Sequence, residues 1–196
     1  MKSSSFLIGW IFVAGGTWGC RATSGDPSEV LEQSRATRPA WVSELLVPPS
    51  LQHDQLQWVN EKVQVYDLTL GLKQAHAAAL HEARLETWAL IQTYWQEQGL
   101  IAILTSEERQ NLGLQLRQVL ERQMDEQLVQ DIYFERRAEG DRRDESRESF
   151  VIYVHVMMPK AKIVQVFADL RQAFQASQTP ALRSLAQMKR AFPLQL

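Results

Sequence analysis

Cysteine is all but missing from this chain: Cys20 is the only one among 196 residues. With no partner thiol there is no internal disulfide and no thiolate metal cluster, so the fold must be held by packing. An excess of one charge sign is missing too, 21 Lys and Arg standing against 23 Asp and Glu. Such balance gives neither nucleic acid nor anionic lipid a field to follow. No apolar run reaches the roughly 20 residues that span a hydrocarbon core. The remainder is ordinary globular composition, 45% hydrophobic and 22% charged. About 176 residues come after Cys20, enough for one domain with a real core.

Signatures of catalysis and metal binding are equally sparse. His76 and His81 are five apart, about 140° around a helix axis and off any shared metal-facing side. His81-Glu82 runs into Ala83-Arg84, so the second histidine of a zinc-protease motif is absent. There is no phosphate-cradling glycine loop, no Gly-x-Ser-x-Gly elbow and no calcium loop. Residues 136–148 mix five arginines with five acids and read as a solvated hairpin loop. Asp141, Asp144 and Glu145 within it lack the ligand alternation of a calcium site. His155 alternates with Tyr153 and Met157 on one strand face, as a satisfied core or interface histidine does. The sequence predicts no metal, no cofactor and no enzyme.

What is present is concentrated at the N-terminus. Lys2 and three serines lead into about nine apolar residues, 6–14, and then Gly15-Gly16-Thr17-Trp18-Gly19-Cys20. A charged start, a short apolar core and a small-residue exit have the layout of a secretory signal. Gly19-Cys20 resembles the end of a bacterial lipobox, in which the cysteine is lipidated and becomes the first mature residue. Thr17 and Trp18 depart from that pattern, where a leucine and a smaller residue are usual. An ordinary signal with an incidental cysteine is the alternative. Lipidation implies a protein anchored to a membrane by a diacylglyceryl thioether and an N-acyl (palmitate-type) chain, more than stable anchoring requires. Arg21, in place of the aspartate associated with inner-membrane retention, points by the same resemblance to the outer membrane. The implied domain organisation is a signal peptide over 1–19, a lipidated Cys20 and flexible tether over 20–56, and one domain over 57–196.

The tether assignment rests on Ser, Thr, Gln and Glu content and on Pro27, Pro39, Pro48 and Pro49. About 36 such residues have a typical end-to-end distance of roughly 30–36 Å and stretch to about 120 Å. Arg38-Pro39-Ala40-Trp41-Val42 and Leu45-Leu46-Val47 interrupt the polar run. They predict a segment that docks onto the domain, with Trp41 as an alternative partner-binding residue.

Beyond it, residues 58–66 predict a half-buried strand with Val59, Val63 and Val65 on its inner side. Residues 68–96 turn helical, with Leu72, Ala75, Ala79 and Ala83 recurring at three and four and Gly99 as the stop. Trp88 and Trp95, seven apart on one side of this helix, are either core or a protein-docking stripe. Thr105-Ser106-Glu107-Glu108 has capping-box spacing for a second helix, with Leu112, Leu116, Val119 or Leu120, Met124 and Leu128 as its stripe. Strands come next at 129–135 and 149–158, the latter ended by Pro159. A helix from about 160 then buries Ile163, Val166, Phe167, Leu170 and Phe174, and a shorter helix starts after Thr179-Pro180. The order strand-helix-helix-strand-strand-helix predicts an α+β fold, a small antiparallel sheet covered by helices on one face. The first strand is left able to pair in either direction.

The lipobox, the Pro-Ala-Trp-Val run, the alanine-rich stretch 73–84 and the strand 152–160 ending in Pro159-Lys160 together resemble a known group. They are similar to the LPP-twenty-like (twenty-kilodalton surface lipoprotein) family of bacterial envelope lipoproteins and to related flagellar outer-membrane lipoproteins. The likeness spans 38 to about 175. It departs where Asp67-Leu68-Thr69 replaces a usual glycine and where His155 replaces an aliphatic residue. What the resemblance implies is envelope residence. Three functions are in contention. The first is a non-enzymatic structural or partner-binding module, membrane-anchored and meeting an envelope protein or itself. The second is a periplasm-spanning regulator of a cell-wall synthase, and the third an enzyme on an envelope substrate.

Overall fold

The computed structural model describes residues 30–43, 49, 51, 53–139 and 147–192. The signal segment, Cys20, Leu45-Leu46-Val47 and the loop acids Asp141, Asp144 and Glu145 lie outside the described residues. The architecture is α+β, an antiparallel sheet with helices packed on one face, as the sequence predicts, but the sheet has four strands where the sequence predicts three. Its strands are β1 (Val30–Gln33), β2 (Gln55–Val65), β3 (Val129–Glu139) and β4 (Arg147–Pro159), in the spatial order β1-β3-β4-β2. β2, whose direction the sequence leaves open, pairs antiparallel with β4.

The inner face of the sheet is made by Leu56 and Trp58 of β2, Ile152, Val154, Val156 and Met158 of β4, and Ile132 and Phe134 of β3. Alternation at period two is what puts these on one side. For β2 this corrects the expected inner set. Val59 and Val63 face the other way, and Val63 is exposed. Val65 does reach the core, because the pairing with β4 shifts register between Lys62 and Val65 and Gln64 takes φ 56°. A bulge inserts one residue and so turns the rest of the strand to the opposite face.

Helix α1 (Ala40–Ser43) is a single turn, described with the site below. Helix α2 (Leu68–Glu97) starts at Asp67, whose side chain accepts from the Leu70 amide, and lies across β2 and β4. Its buried row Gly71, Ala75, Ala79, Ala83, Thr87, Ile91 and Trp95 is spaced at four throughout. Small side chains in the first half let the helix backbone approach the sheet, and larger ones in the second fill the space beyond its edge. Left-handed Gly99 (φ 70°) ends the helix, and the Leu100 amide donates to the Trp95 carbonyl at 2.9 Å. Helix α3 (Ser106–Gln123) carries the expected capping box, Thr105 and Glu108 each accepting from the other's backbone amide. Helix α4 (Lys160–Ala176) buries all five residues expected of it, and α5 (Pro180–Gln187) closes the helical layer.

Gly71 is where this layer is tightest. A Cβ there would collide with Val65 Cγ1, whereas one at Gly113 in α3 would meet nothing within 4 Å. Gly71→Ala therefore lowers unfolding free energy by about 1–3 kcal/mol through overpacking. Gly113→Ala raises it by up to about 1 kcal/mol through helix propensity. Urea unfolding tracked by circular dichroism checks both signs.

Candidate functional site

Among the described residues, none of the long helices covers the second face of the sheet. Alternation brings to it Gln57, Val59 and Glu61 from β2, Tyr153, His155 and Val151 from β4, and Asp131, Tyr133 and Glu135 from β3, with Arg137 next along. Register puts Asp131 opposite His155, Tyr133 opposite Tyr153 and Glu135 opposite Val151. The Asp131 position comes just after a register shift between Val129 and Asp131.

Residues 30–43 form a strap over this face. β1 pairs antiparallel with the edge of β3, Val30 opposite Arg137 and Gln33 opposite Glu135. Ser34 extends the ladder: its amide donates to the Phe134 carbonyl at 3.0 Å, and its Oγ accepts from the Phe134 amide at 3.1 Å. Pro39 then opens the α1 turn, the Val42 amide donating to the Pro39 carbonyl at 3.0 Å. The tether boundary at 56 is thereby corrected. β1 belongs to the sheet and α1 lies on it, and the next strand begins at Gln55. Docking of the Pro-Ala-Trp-Val run, the other half of that expectation, is what the structure has for Trp41 and Val42, which pack against Tyr133, Val151 and Tyr153.

Three strap side chains, spaced at three, reach three places on the sheet. Arg35 makes a bidentate ion pair with Asp131. Arg38 lies over the Tyr153 ring, 5.4 Å from its centroid, donates to the Tyr153 hydroxyl at 3.3 Å and stands 3.5 Å from Glu135. Trp41 stacks on His155 at 5.2 Å and 20°, and its indole N–H donates to Asp131 at 3.1 Å. Asp131 thus receives two strap residues at once.

Glu135 is the charged centre of the face. It is 2% exposed. The Tyr133 hydroxyl donates to it at 3.1 Å, and Arg137 pairs with it through both Nε and Nη2. Burial, then the carboxylate of Glu135, raise the Tyr133 phenol above its ordinary range. Burial and the Glu61 carboxylate push Tyr153 up to about 12, against the pull of Arg137. Its hydroxyl oxygen accepts from both Arg38 and Arg137 at 3.3 Å. For Arg137, burial works against the charge, but the hydrogen bond to Glu135 and the surrounding negative groups outweigh it. Chemically the arrangement is a clamp, in which Asp131 and Glu135 are both bound to arginine. Among the described residues no group of three or more His, Cys, Asp or Glu is placed to hold a metal ion.

The expected site residues are scattered. Trp41 is in the strap. Trp95 is 2% exposed, its indole bonded to the Ala191 carbonyl at 2.9 Å and its ring beside Phe174 and Phe192, which leaves no surface for a partner. Trp88 is half-buried against the same core. Arg136 and Arg137, expected in a loop, are strand residues, Arg136 pairing with Glu32 and Glu148. Arg35, Asp131, Tyr133 and Glu135 are site residues that the sequence does not single out. Their one legible signal is the pattern Asp131-x-Tyr133-x-Glu135-x-Arg137, polar positions at period two in a strand. No family model, curated protein or solved structure matches the chain.

Removing the charged centre should be costly. Glu135→Ala leaves Arg137 half-enclosed without its anion and costs on the order of 3 kcal/mol in chemical denaturation. His155 is held below its usual value by burial, partly offset by the Asp131 carboxylate. A depressed pKa means the unfolded chain binds the proton first. The stabilisation is therefore complete above about pH 6.5 and is lost as pH falls through the lowered folded value. Hydrogen exchange of residues 30–43 should accelerate relative to the helices on going from pH 7.5 to 5, after correction for intrinsic rates, and His155→Gln should flatten that change.

Proposed function

We propose that this chain is a bacterial envelope lipoprotein, anchored to the outer membrane through Cys20, whose domain serves as a non-enzymatic structural or partner-binding module. The N-terminal charged, apolar and small-residue sequence ending in Cys20 supports the anchor. The clamp supports the module: its carboxylates are engaged by Arg35, Arg38 and Arg137. The observation that carries the reading is how near Cys20 the described sheet comes. Val30 is already paired to β3, ten residues beyond Cys20, so the domain would sit within about 35 Å of its anchoring atom. A domain held that closely acts at the membrane surface, on an envelope protein or a second copy. The geometry favours this over a regulator working at full reach across the periplasm.

Cys20→Ala tests the anchor. The wild-type chain should sediment with membranes and the variant should appear in the soluble fraction with an unchanged circular dichroism spectrum. Equal membrane retention of the two would remove the anchor.

A further inference from the structure

Spatial order and chain order disagree in a way that stores length. β1 lies at one edge of the sheet and β2 at the other. The strap enters beside β3, crosses to His155 on β4, and the chain re-enters the sheet at Gln55. We propose that residues 30–43 are a releasable strap, and that its docking sets how far the domain stands from its anchor. The inference rests on the lipid-anchor reading and adds regulation to it.

Three observations make the strap releasable. Its hold is superficial: all four β1 residues are exposed, their pairing breaks register between Val30 and Glu32, and the Arg35 side chain is half exposed. The main core does not use it, since among the described residues the cluster under the helices contains none before Leu51. The face beneath also has its own second set of partners. With Arg38 withdrawn, Glu135 keeps Arg137 and the Tyr133 hydroxyl, so its buried charge is not orphaned. Asp131, which loses both Arg35 and Trp41, sits where water can replace them, its side chain 21% exposed.

The gain in reach comes from the number of residues released. Docked, ten residue steps separate Cys20 from Val30, a reach of at most about 35 Å. Released, the leash runs on to Leu51, which is held in the main core, and its limit rises to about 105 Å. A basic, aromatic strand from elsewhere that competed for Asp131 and His155 would lengthen the leash by displacing the strap.

The test uses the full lipidated chain in phosphatidylethanolamine–phosphatidylglycerol vesicles, with Ser184→Cys in α5 carrying a donor dye and the headgroups an acceptor. Arg35→Ala with Trp41→Ala leaves the Glu135 cluster in place, and Asp131→Asn is the milder second route to the same loosening. Both should raise the mean donor height above the bilayer by about 10 Å or more, within the added reach. Hydrogen exchange on the soluble Cys20→Ala form of each variant should show residues 30–43 opening while the helices keep their protection. An open strap with unchanged height overturns the proposal, as does a strap that stays protected in both variants. If the unmodified lipid-processed chain fails to bind vesicles, the anchor itself falls, and the exchange data still report separately whether the strap opens.

Discussion

A carboxylate enclosed in the face of a sheet has to be met by cations, and Glu135 is the constraint around which the unhelical side of this molecule is organised. One cation, Arg137, comes from the same strand two residues on, which is the period that returns a side chain to the same face. The other, Arg38, comes from a segment nearly a hundred residues earlier in the chain. That second pairing, with Arg35 on Asp131 and Trp41 on His155, turns a sequence that looks like a linker into a covering layer. Exposed ion pairs alone contribute little. Here the pairs are joined to a stacked indole, an arginine over a tyrosine ring and a short strand, and each part orients the others.

The helical side obeys a different constraint, backbone proximity. α2 lies against β2 and β4 because Gly71, Ala75, Ala79 and Ala83 offer it no bulk there, and the bulge at Gln64 turns Val65 in to meet Gly71. Beyond the sheet the same row becomes Thr87, Ile91 and Trp95, and Trp95 meets Phe174 of α4 and Phe192. The two sides are nearly independent. One is a dry core of aliphatic and aromatic residues, the other a polar clamp of limited depth.

Much of the helical side was legible in the sequence. The alanine row, the Thr105–Glu108 capping box, the Gly99 stop and the Ile163–Phe174 stripe are local patterns that tertiary structure had no reason to override. The inner face of β2 was misread because alternation assumes an unbroken ladder, and the shift at Lys62 reverses it. β1 was missed because Val30-Leu31-Glu32-Gln33 has no alternation of its own and becomes a strand only through the edge of β3. The strap's half of the clamp is hidden for a related reason. Arg35 and Arg38 look like solvated charges until Asp131 and Glu135 are brought beneath them.

The central claim is that the segment before Trp41 is part of the folded unit, docked on the sheet. A nuclear Overhauser experiment on the full chain at pH 7.5 tests this most directly. Docking predicts cross-peaks between the Trp41 indole and the His155 imidazole, whose centroids are 5.2 Å apart. Random-coil shifts for residues 30–43 with no contact from Trp41 to β4 would contradict it.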